Sequence, residues 1–193
     1  MNRILVLLLG IVVLFGTTGC GTYNNMVAKD ERVKEAWAGV QNQYQRRADL
    51  IPNLVNTVKG AADFEKSTLE SVIEARAKAT QTTISPDNLT PENIQKFQAA
   101  QDGLSSALSR LLVTVERYPE LKANQNFLEL QAQLEGTENR ITVARNDFNA
   151  AVRDYNSSVR SFPANILAGI FGFEPKTPFE ASQAAQTAPT VQF

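Results

Sequence analysis

A seven-residue repeat near the carboxy-terminal end constrains the fold of this chain more than any other feature of its sequence. Large apolar residues recur there at every seventh position, and mostly small residues occupy a second position between them. The large residues are Phe127, Leu134, Ile141, Phe148, Tyr155 and Phe162, and the interleaved residues are Leu130, Thr137, Ala144, Ala151 and Ser158. Both sets fall on one side of an α-helix, where small residues allow a neighbouring helix to approach closely. The pattern therefore predicts one helix from Phe127 to Phe162, about 54 Å long.

A second long helix is predicted from Thr90 to Tyr118. Thr90 can cap its amino terminus, Pro91 suits the first helical position, and a carboxylate in the first turn favours the positive end of the helix dipole. Apolar residues then recur three and four positions apart. Pro119 cannot continue the helix, so it marks the end.

The amino-terminal half carries two further apolar stripes that are separated by a proline. The stripes are Val33, Trp37, Val40 and Tyr44, and then Leu54, Val58, Ala62, Leu69 and Val72. Proline removes a helical hydrogen bond and clashes with the preceding turn, so we predict that one helix ends near Leu50 and another begins near Pro52. A single kinked helix is the alternative. Together the stripes predict an all-α fold, an antiparallel bundle of three to four long helices.

The first nineteen residues have the pattern of a secretory signal peptide. Arg3 supplies a positive charge, residues 4–15 are apolar except for one glycine, and residues 16–19 are small. The apolar run is shorter than the roughly 20 residues that usually span a bilayer. We therefore predict that residues 1–19 are cleaved, with an uncleaved transmembrane anchor as the alternative.

The only cysteine, Cys20, follows directly after this segment. A run of small residues that ends in Gly-Cys resembles the lipobox of bacterial lipoproteins, although Thr17 stands where that motif usually has Leu or Val. The resemblance implies cleavage after Gly19 and acylation of Cys20, which would anchor the protein firmly in a membrane. Gly21 replaces the Asp that often retains lipoproteins in the inner membrane, and this favours the outer membrane in a host that has one.

Composition excludes several classes of function. Lys and Arg number 19 against 20 Asp and Glu, so no overall positive field would gather nucleic acid. The chain has no histidine and no second cysteine, which excludes imidazole–thiolate zinc sites and histidine-dependent nucleophilic catalysis within one chain. A carboxylate metal site from Glu65 and Glu138 stays open, but the Glu-x-x-His pattern of such sites in bundles is missing. We predict no catalytic residue, metal or cofactor.

Several segments resemble the LemA family, in the same order along the chain. The first runs from Tyr23 to Gly60 and includes the stretch QRRADLIPNLVN. The others are VIEAR (72–76), ERYPELKAN (116–124), LEGTENRITVARNDFNAAVRDYN (134–156) and FPANILAGIFGF (162–173). The resemblance extends to about Phe179. It implies an α-helical bundle held at the bacterial envelope by its amino-terminal segment, and it implies no agreed biochemical activity.

Charged residues beside the proline are the candidate contact with a partner. Arg46, Arg47 and Asp49 could line a polar groove that binds a partner peptide or an envelope ligand. The alternative, which we favour, is that charges flanking the apolar stripes form ion pairs between helices. Residues open to the same two interpretations are Glu65, Arg76, Glu138 and Arg145.

These features predict four regions: a signal peptide (1–19), a lipid-anchored tether (20–29), a LemA-like helical bundle (30–163) and a carboxy-terminal tail (164–193). Within the tail, we expect residues 166–173 to fold over the bundle rather than touch the membrane, and residues 180–189 to be loosely ordered. The predicted function is that of a non-enzymatic, membrane-anchored envelope protein, a scaffold or adaptor for other envelope proteins that faces the periplasm or exterior. An enzyme or ligand-binding protein with a site between the helices is the alternative.

Overall fold

Two long helices, α1 (Arg3–Lys59) and α5 (Gln125–Arg160), form the centre of the fold. The computed structural model describes the backbone of residues 3–60 and 64–180, and the side chains from residue 20 onward within those ranges. In the described part of the chain the other helices are α2 (Lys66–Gln81), α3 (Pro91–Val115), α4 (Pro119–Lys122) and α6 (Ala164–Phe171), and no strand is present. The prediction of an all-α fold is confirmed.

The long helices run antiparallel. Lys29 of α1 pairs with Asp154 of α5 at 3.0 Å, whereas Arg47, further along α1, pairs with Glu138, which lies earlier in α5. Helices α2 and α3 form a second antiparallel pair, in which the carboxy-terminal end of α2 faces the first half of α3. The four longer helices, α1, α2, α3 and α5, therefore make the predicted antiparallel bundle.

The start of α3 is as predicted, but its end is not. The Thr90 hydroxyl accepts a hydrogen bond from the backbone N–H of Asn93, and Pro91 occupies the first turn. The helix ends at Val115 instead of Tyr118. Tyr118 precedes a proline, whose ring disfavours helical backbone in the residue before it, and its φ and ψ are −120° and 87°. The turn closes before Pro119, which begins the short α4.

The seven-residue repeat is buried along α5. Its large residues from Phe127 to Tyr155 are each at most 6% exposed, and Phe148 is completely buried. The last member, Phe162, is 82% exposed, so its predicted place in the buried stripe is wrong. The reason is that α5 ends at Arg160, and the chain then turns away before Phe162 can follow the stripe.

The predicted helix boundary at Pro52 is also wrong, because α1 continues through the proline to Lys59. Proline cannot donate a hydrogen bond to the carbonyl four residues earlier, which here belongs to Ala48. That carbonyl instead accepts a hydrogen bond from Nε of Arg76 in α2, at 2.7 Å. A side chain from a neighbouring helix thus replaces the missing backbone donor, and α1 remains one helix.

The core consists of two apolar clusters arranged along the long helices. The first cluster contains Met26, Val33, Trp37, Val40 and Tyr44 of α1 together with Phe97, Phe148 and Tyr155. The second contains Ile51, Leu54, Val55 and Val58 of α1 together with Leu69, Val72, Leu104, Leu111, Phe127 and Leu134. Along α1, residues 45–49 separate the two clusters.

After α5 the chain returns along the bundle. Helix α6 packs against α1 and α5, so residues 166–173 do fold over the bundle, while their predicted lack of membrane contact stays untested. Gly172 caps the helix, and its φ of 74° suits glycine. Residues 173–180, called the C-terminal strap below, then lie against α5 without helical structure. Most of the segment predicted to be loosely ordered, 181–189, lies outside the described residues.

Candidate functional site

The structure separates the three residues predicted to contact a partner. Arg46 and Asp49 are exposed, and the Asp49 carboxylate accepts a hydrogen bond from Nε2 of Gln45 at 2.7 Å. Arg47 is 1% exposed, and its side chain lies inside the bundle. A partner could therefore reach Arg46 and Asp49 on the surface of α1, but not Arg47.

Arg47 is the buried centre of a polar layer between the two apolar clusters, and the layer reaches solvent at Glu138. Its Nη1 atom donates to Oε1 of Glu138 at 2.6 Å and to the Ser105 hydroxyl at 2.8 Å. Its Nη2 atom donates to both oxygens of Gln101, the side-chain Oε1 at 2.7 Å and the backbone carbonyl at 3.2 Å. A guanidinium suits this position because it carries several donors in one plane. Helices α1, α3 and α5 are thus joined by one side chain, as the ion-pair interpretation expects.

The same layer reaches α2. Nε2 of Gln101 donates to the backbone carbonyl of Ala79 at 3.3 Å, so the Gln101 amide connects Arg47 with the fourth helix of the bundle. Gln101 is 5% exposed. Buried polar groups of this kind are costly unless they are hydrogen-bonded. The paired groups in this layer therefore favour one arrangement of all four helices.

A cavity of about 250 Å³ opens beside the polar layer, between α1, the end of α2 and α3. Its lining combines two aromatic rings with amides and hydroxyls: Tyr44, Phe97, Gln41, Asn42, Gln45, Gln101, Thr80, Thr82 and Thr83. No ionisable carboxylate or cationic side chain lines it. The volume lies just below the range of about 300–1,000 Å³ that is usual for small-molecule sites, and the lining suits a neutral polar molecule.

The strap is held to α5 through its backbone by two asparagine side chains. The amide of Asn156 accepts from the N–H of Lys176 and donates to its carbonyl, both at 2.8 Å. The amide of Asn149 makes the same pair of bonds to Phe179, at 2.8 Å and 3.1 Å. The two asparagines lie seven residues apart and therefore on the same side of α5. They form a ladder that recognises an extended backbone.

Phe179 anchors the strap in the first apolar cluster. Its ring centroid lies 5.4 Å from that of Phe148, 5.8 Å from that of Trp37 and 6.4 Å from that of Phe97. The guanidinium of Arg145 lies over its outer face at 4.6 Å. Sequence reasoning missed this anchor, since a single phenylalanine in a proline-containing tail has no periodic pattern. The available signal was the pair of asparagines, each directly after a large residue of the repeat.

The two glutamates considered as a metal site are not brought together. Glu65 pairs with Arg117 at 3.2 Å, whereas Glu138 pairs with Arg47 in the polar layer. Among the described residues, no group of three or more Cys, Asp or Glu side chains is placed to hold a metal ion.

One buried tyrosine has a strongly shifted pKa. Burial raises the pKa of Tyr155 to about 12, and the negative charges of Asp30 and Glu174 act in the same direction. Nζ of Lys176 lies 5.3 Å from the centroid of the Tyr155 ring and pairs with Asp30 at 2.8 Å. The strap therefore closes over the tyrosine that ends the buried repeat.

Comparison with known proteins places these features in a family. The sequence profile of the LemA family matches residues 36–193, which include the polar layer, the cavity and the strap. The chain belongs to the LemA family.

Named relatives of this LemA family protein come from three bacteria. It is 26% identical over 193 aligned residues to magnetosome protein MamQ 2 of Paramagnetospirillum magneticum, with 91% of this chain and 71% of the relative covered. It is 27% identical to magnetosome protein MamQ of Magnetospirillum gryphiswaldense over the same shares of both chains. Protein LemA of Metamycoplasma hominis is 23% identical over 163 residues, 84% of this chain and 71% of the relative. The family and these relatives support a membrane-associated protein of the cell envelope.

The predicted lipidation site lies at the amino-terminal end of the described side chains. Cys20 is exposed and belongs to α1, which runs on from it without interruption. In the part of the chain that the structure describes, no helix is both long and apolar enough to cross a membrane.

Proposed function

We propose that this LemA family protein is a non-enzymatic scaffold or adaptor that holds other envelope proteins beside a membrane. One observation carries the proposal: Arg47, the buried charged residue of the described part of the bundle, directs both of its Nη atoms at neighbouring helices in four hydrogen bonds, and its remaining donor, Nε, is buried without a partner. An enzyme would direct such a group into a pocket that a substrate can enter. Here the group stabilises a long helical body, which suits a protein that positions others.

The proposed anchor is a lipid on Cys20. Cleavage after Gly19 would leave Cys20 as the first residue of the mature chain, and its exposed position at the start of the bundle leaves room for acyl chains. Palmitate in amide linkage to the new amino terminus and a diacylglycerol thioether on the Cys20 sulfur together would give stable attachment, because one chain alone binds only reversibly. The bundle would face the periplasm or exterior, and Gly21 favours the outer membrane in a host that has one.

Intact mass of the membrane-extracted protein tests the anchor. We expect a chain that begins at Cys20 and carries acyl groups, and we expect Cys20→Ser to carry none. A wild-type chain that still begins at Met1, or that is soluble after cell breakage, would contradict lipidation.

The partner surface is proposed to include Arg46 and Asp49 on the exposed side of α1. A photo-crosslinking amino acid at either position, introduced into the protein in living cells, should give discrete adducts that mass spectrometry can identify. Arg153, an exposed residue of α5, provides the matched control position. Equal adduct formation at all three positions, or none at any, would argue against a partner site beside Arg46.

A second candidate function is the binding of a small neutral molecule, which the cavity beside Tyr44 and Gln101 favours. Its lining of amides, hydroxyls and aromatic rings suits a polyhydroxylated compound such as a sugar. A panel of neutral sugars should then raise the melting temperature of the protein. Substitution of Ala79, a small buried lining residue, by Leu would fill part of the cavity and should abolish that rise.

A further inference from the structure

Helix α6 and the turn before it expose an unusual amount of apolar surface. Phe162 is 82% exposed, Ile166 55%, Ile170 69% and Phe171 56%. The first three recur at intervals of four, so Ile166 and Ile170 share one face of α6, with Phe162 leading into it. These four residues are called the α6 patch. Exposed apolar residues that cluster in this way mark a surface that contacts something other than water.

The α6 patch is held in a fixed place on the bundle. Ala168, on the opposite side of α6, is 3% exposed, and Leu167 packs against the first apolar cluster. The ring of Phe171 lies edge-on to that of Tyr23 in α1, with centroids 4.8 Å apart. Tyr23 is three residues after Cys20, which corresponds to about 4.5 Å of helix rise. The patch therefore lies at the end of the bundle where the proposed lipid anchor is attached.

The two chain segments that meet at this end carry no charge. Residues 20–28 of α1 and residues 161–173, which include α6, contain no Asp, Glu, Lys or Arg. Charged residues begin directly outside them, at Lys29, Arg160 and Glu174. This distribution suits a membrane interface, because charged groups lose hydration where they enter it while apolar and aromatic side chains are favoured. A protein partner would not require an uncharged zone centred on the anchor.

We propose that the α6 patch inserts into the surface of the lipid bilayer that holds Cys20. The proposal rests on the proposed membrane anchor and gives the bundle a second, independent contact with the same bilayer. Apolar faces of interfacial helices typically enter about 5–10 Å, to the boundary between headgroups and acyl chains. Two contacts, one covalent and one through α6, would fix the direction in which the bundle leaves the membrane, and with it the height at which Arg46 and Asp49 are presented.

Fluorescence quenching by brominated lipid tests this contact in the full-length protein. Ile170→Trp and Ile166→Trp each place a tryptophan in the α6 patch, at positions exposed enough to accept it. Val143→Trp is the matched control, because Val143 is also an exposed β-branched residue, 59% exposed and in α5. The native tryptophan, Trp37, is completely buried and contributes a constant background. Each variant is reconstituted into phosphatidylcholine vesicles with and without bromine on the acyl chains.

We expect brominated lipid to reduce the added emission of the two α6 variants about twofold or more, as for a residue at the acyl boundary, and to leave the Val143→Trp emission unchanged. Vesicle flotation, measured on the same samples, reports the anchor separately. Protein that floats with the vesicles while neither α6 variant is quenched would overturn the proposal, leave the anchor intact, and assign the patch to a protein partner instead. Protein that does not float would contradict the anchor itself. Quenching of all three variants alike would also overturn the proposal, since it would mean contact with lipid along the whole bundle.

Discussion

The C-terminal strap should be separable from the bundle by removal of a single ring. Phe179 is the one large apolar side chain of the strap that is fully inserted into the core, at 5% exposure. The strap's polar contacts are backbone hydrogen bonds to Asn149 and Asn156 and the ion pair of Lys176 with Asp30, which water can replace, and Phe173 at its start is only partly buried. We predict that Phe179→Ala releases the strap while the helices stay folded.

The size of the effect follows from the contacts of the ring. Truncation of a core phenylalanine to alanine typically costs about 3–5 kcal/mol, and favourable ring pairs contribute about 0.5–1.5 kcal/mol each within that sum. Phe179 makes three such pairs, with Trp37, Phe97 and Phe148. At about 1.4 kcal/mol per factor of ten, the population with an open strap should rise by between about a hundredfold and a few thousandfold.

Trp37 provides the assay. It is the only tryptophan in the chain, it is completely buried, and its ring is stacked on Phe179 with an interplanar angle of 25°. Release of the strap should shift its emission to the red and increase its quenching by acrylamide. Helical circular dichroism should not change, because the strap is not helical. Phe162→Ala is the matched control, since that phenylalanine is 82% exposed, and it should change neither signal.

Two results would refute the reasoning. Trp37 emission and acrylamide quenching that are the same in Phe179→Ala as in Phe162→Ala would show that the strap does not shield the cluster. Loss of helical signal in Phe179→Ala at room temperature would show that the strap is essential to the bundle and is not a separable segment.

Three further predictions concern the bundle itself. Phe148→Ala should lower the free energy of unfolding by about 3–5 kcal/mol, whereas Ala150→Lys, on the exposed side of α5, should have little effect; thermal melts that show equal losses would mean that the buried face is misassigned. Pro52→Ala should raise the free energy of unfolding. Arg76→Ala should lower the free energy of unfolding by about 1.5–3 kcal/mol in the protein that has Pro52, and by clearly less in the Pro52→Ala variant. Urea titrations of the two single variants and the double variant measure this coupling, and purely additive effects would contradict it. The pKa of Tyr155 is raised to about 12, so the folded protein holds the phenol proton more tightly than the unfolded chain does. The protonated phenol therefore adds to the free energy of unfolding; this contribution is complete below pH 10 and is lost as the pH rises through about 12. Tyr155→Phe should flatten this alkaline loss in urea titrations, and an unchanged slope would exclude the tyrosine as its source.

The helices were predictable from sequence where periodicity alone decides them. The buried stripe of α5 follows from its seven-residue repeat, and the start of α3 follows from Thr90 and Pro91, because both signals are local. The exposure of Phe162 could not be predicted in the same way. It depends on where the chain turns after α5, and the repeat continues in the sequence beyond the end of the helix.

The error at Pro52 has a different cause. A proline in a helix leaves a carbonyl without its donor, and local rules predict a break at that point. Here the donor comes from Arg76, 28 residues from the carbonyl of Ala48 that it reaches. Only the packing of α2 against α1 makes this replacement possible. The two residues occur in separate segments of the chain, and single-sequence reasoning treated them independently.

For the candidate site, residue types were recognised more readily than their surroundings. The charges beside Pro52 stay a predicted contact site, and sequence could not show that Arg47 is buried while Arg46 and Asp49 are exposed. Adjacent residues on a helix point about 100° apart, and the direction of the bundle decides which one faces inward. The strap was not predicted, since Phe179 has no periodic pattern around it and the two asparagines bind backbone atoms that every residue carries.

The pairing of Arg47 with Glu138 has a consequence for register. A repeat of seven allows α5 to slide past α1 by one heptad and still present large apolar residues to the same positions. Slipped by seven in one direction, α5 would bring Arg145 to the place of Glu138 and set two guanidinium groups against each other. In the other direction it would bring Gln131, which leaves the buried charge of Arg47 without a counterion. Like-charge contacts of this kind cost several kcal/mol, as does a buried unpaired charge. One ion pair therefore excludes both alternative alignments that the apolar residues alone would permit.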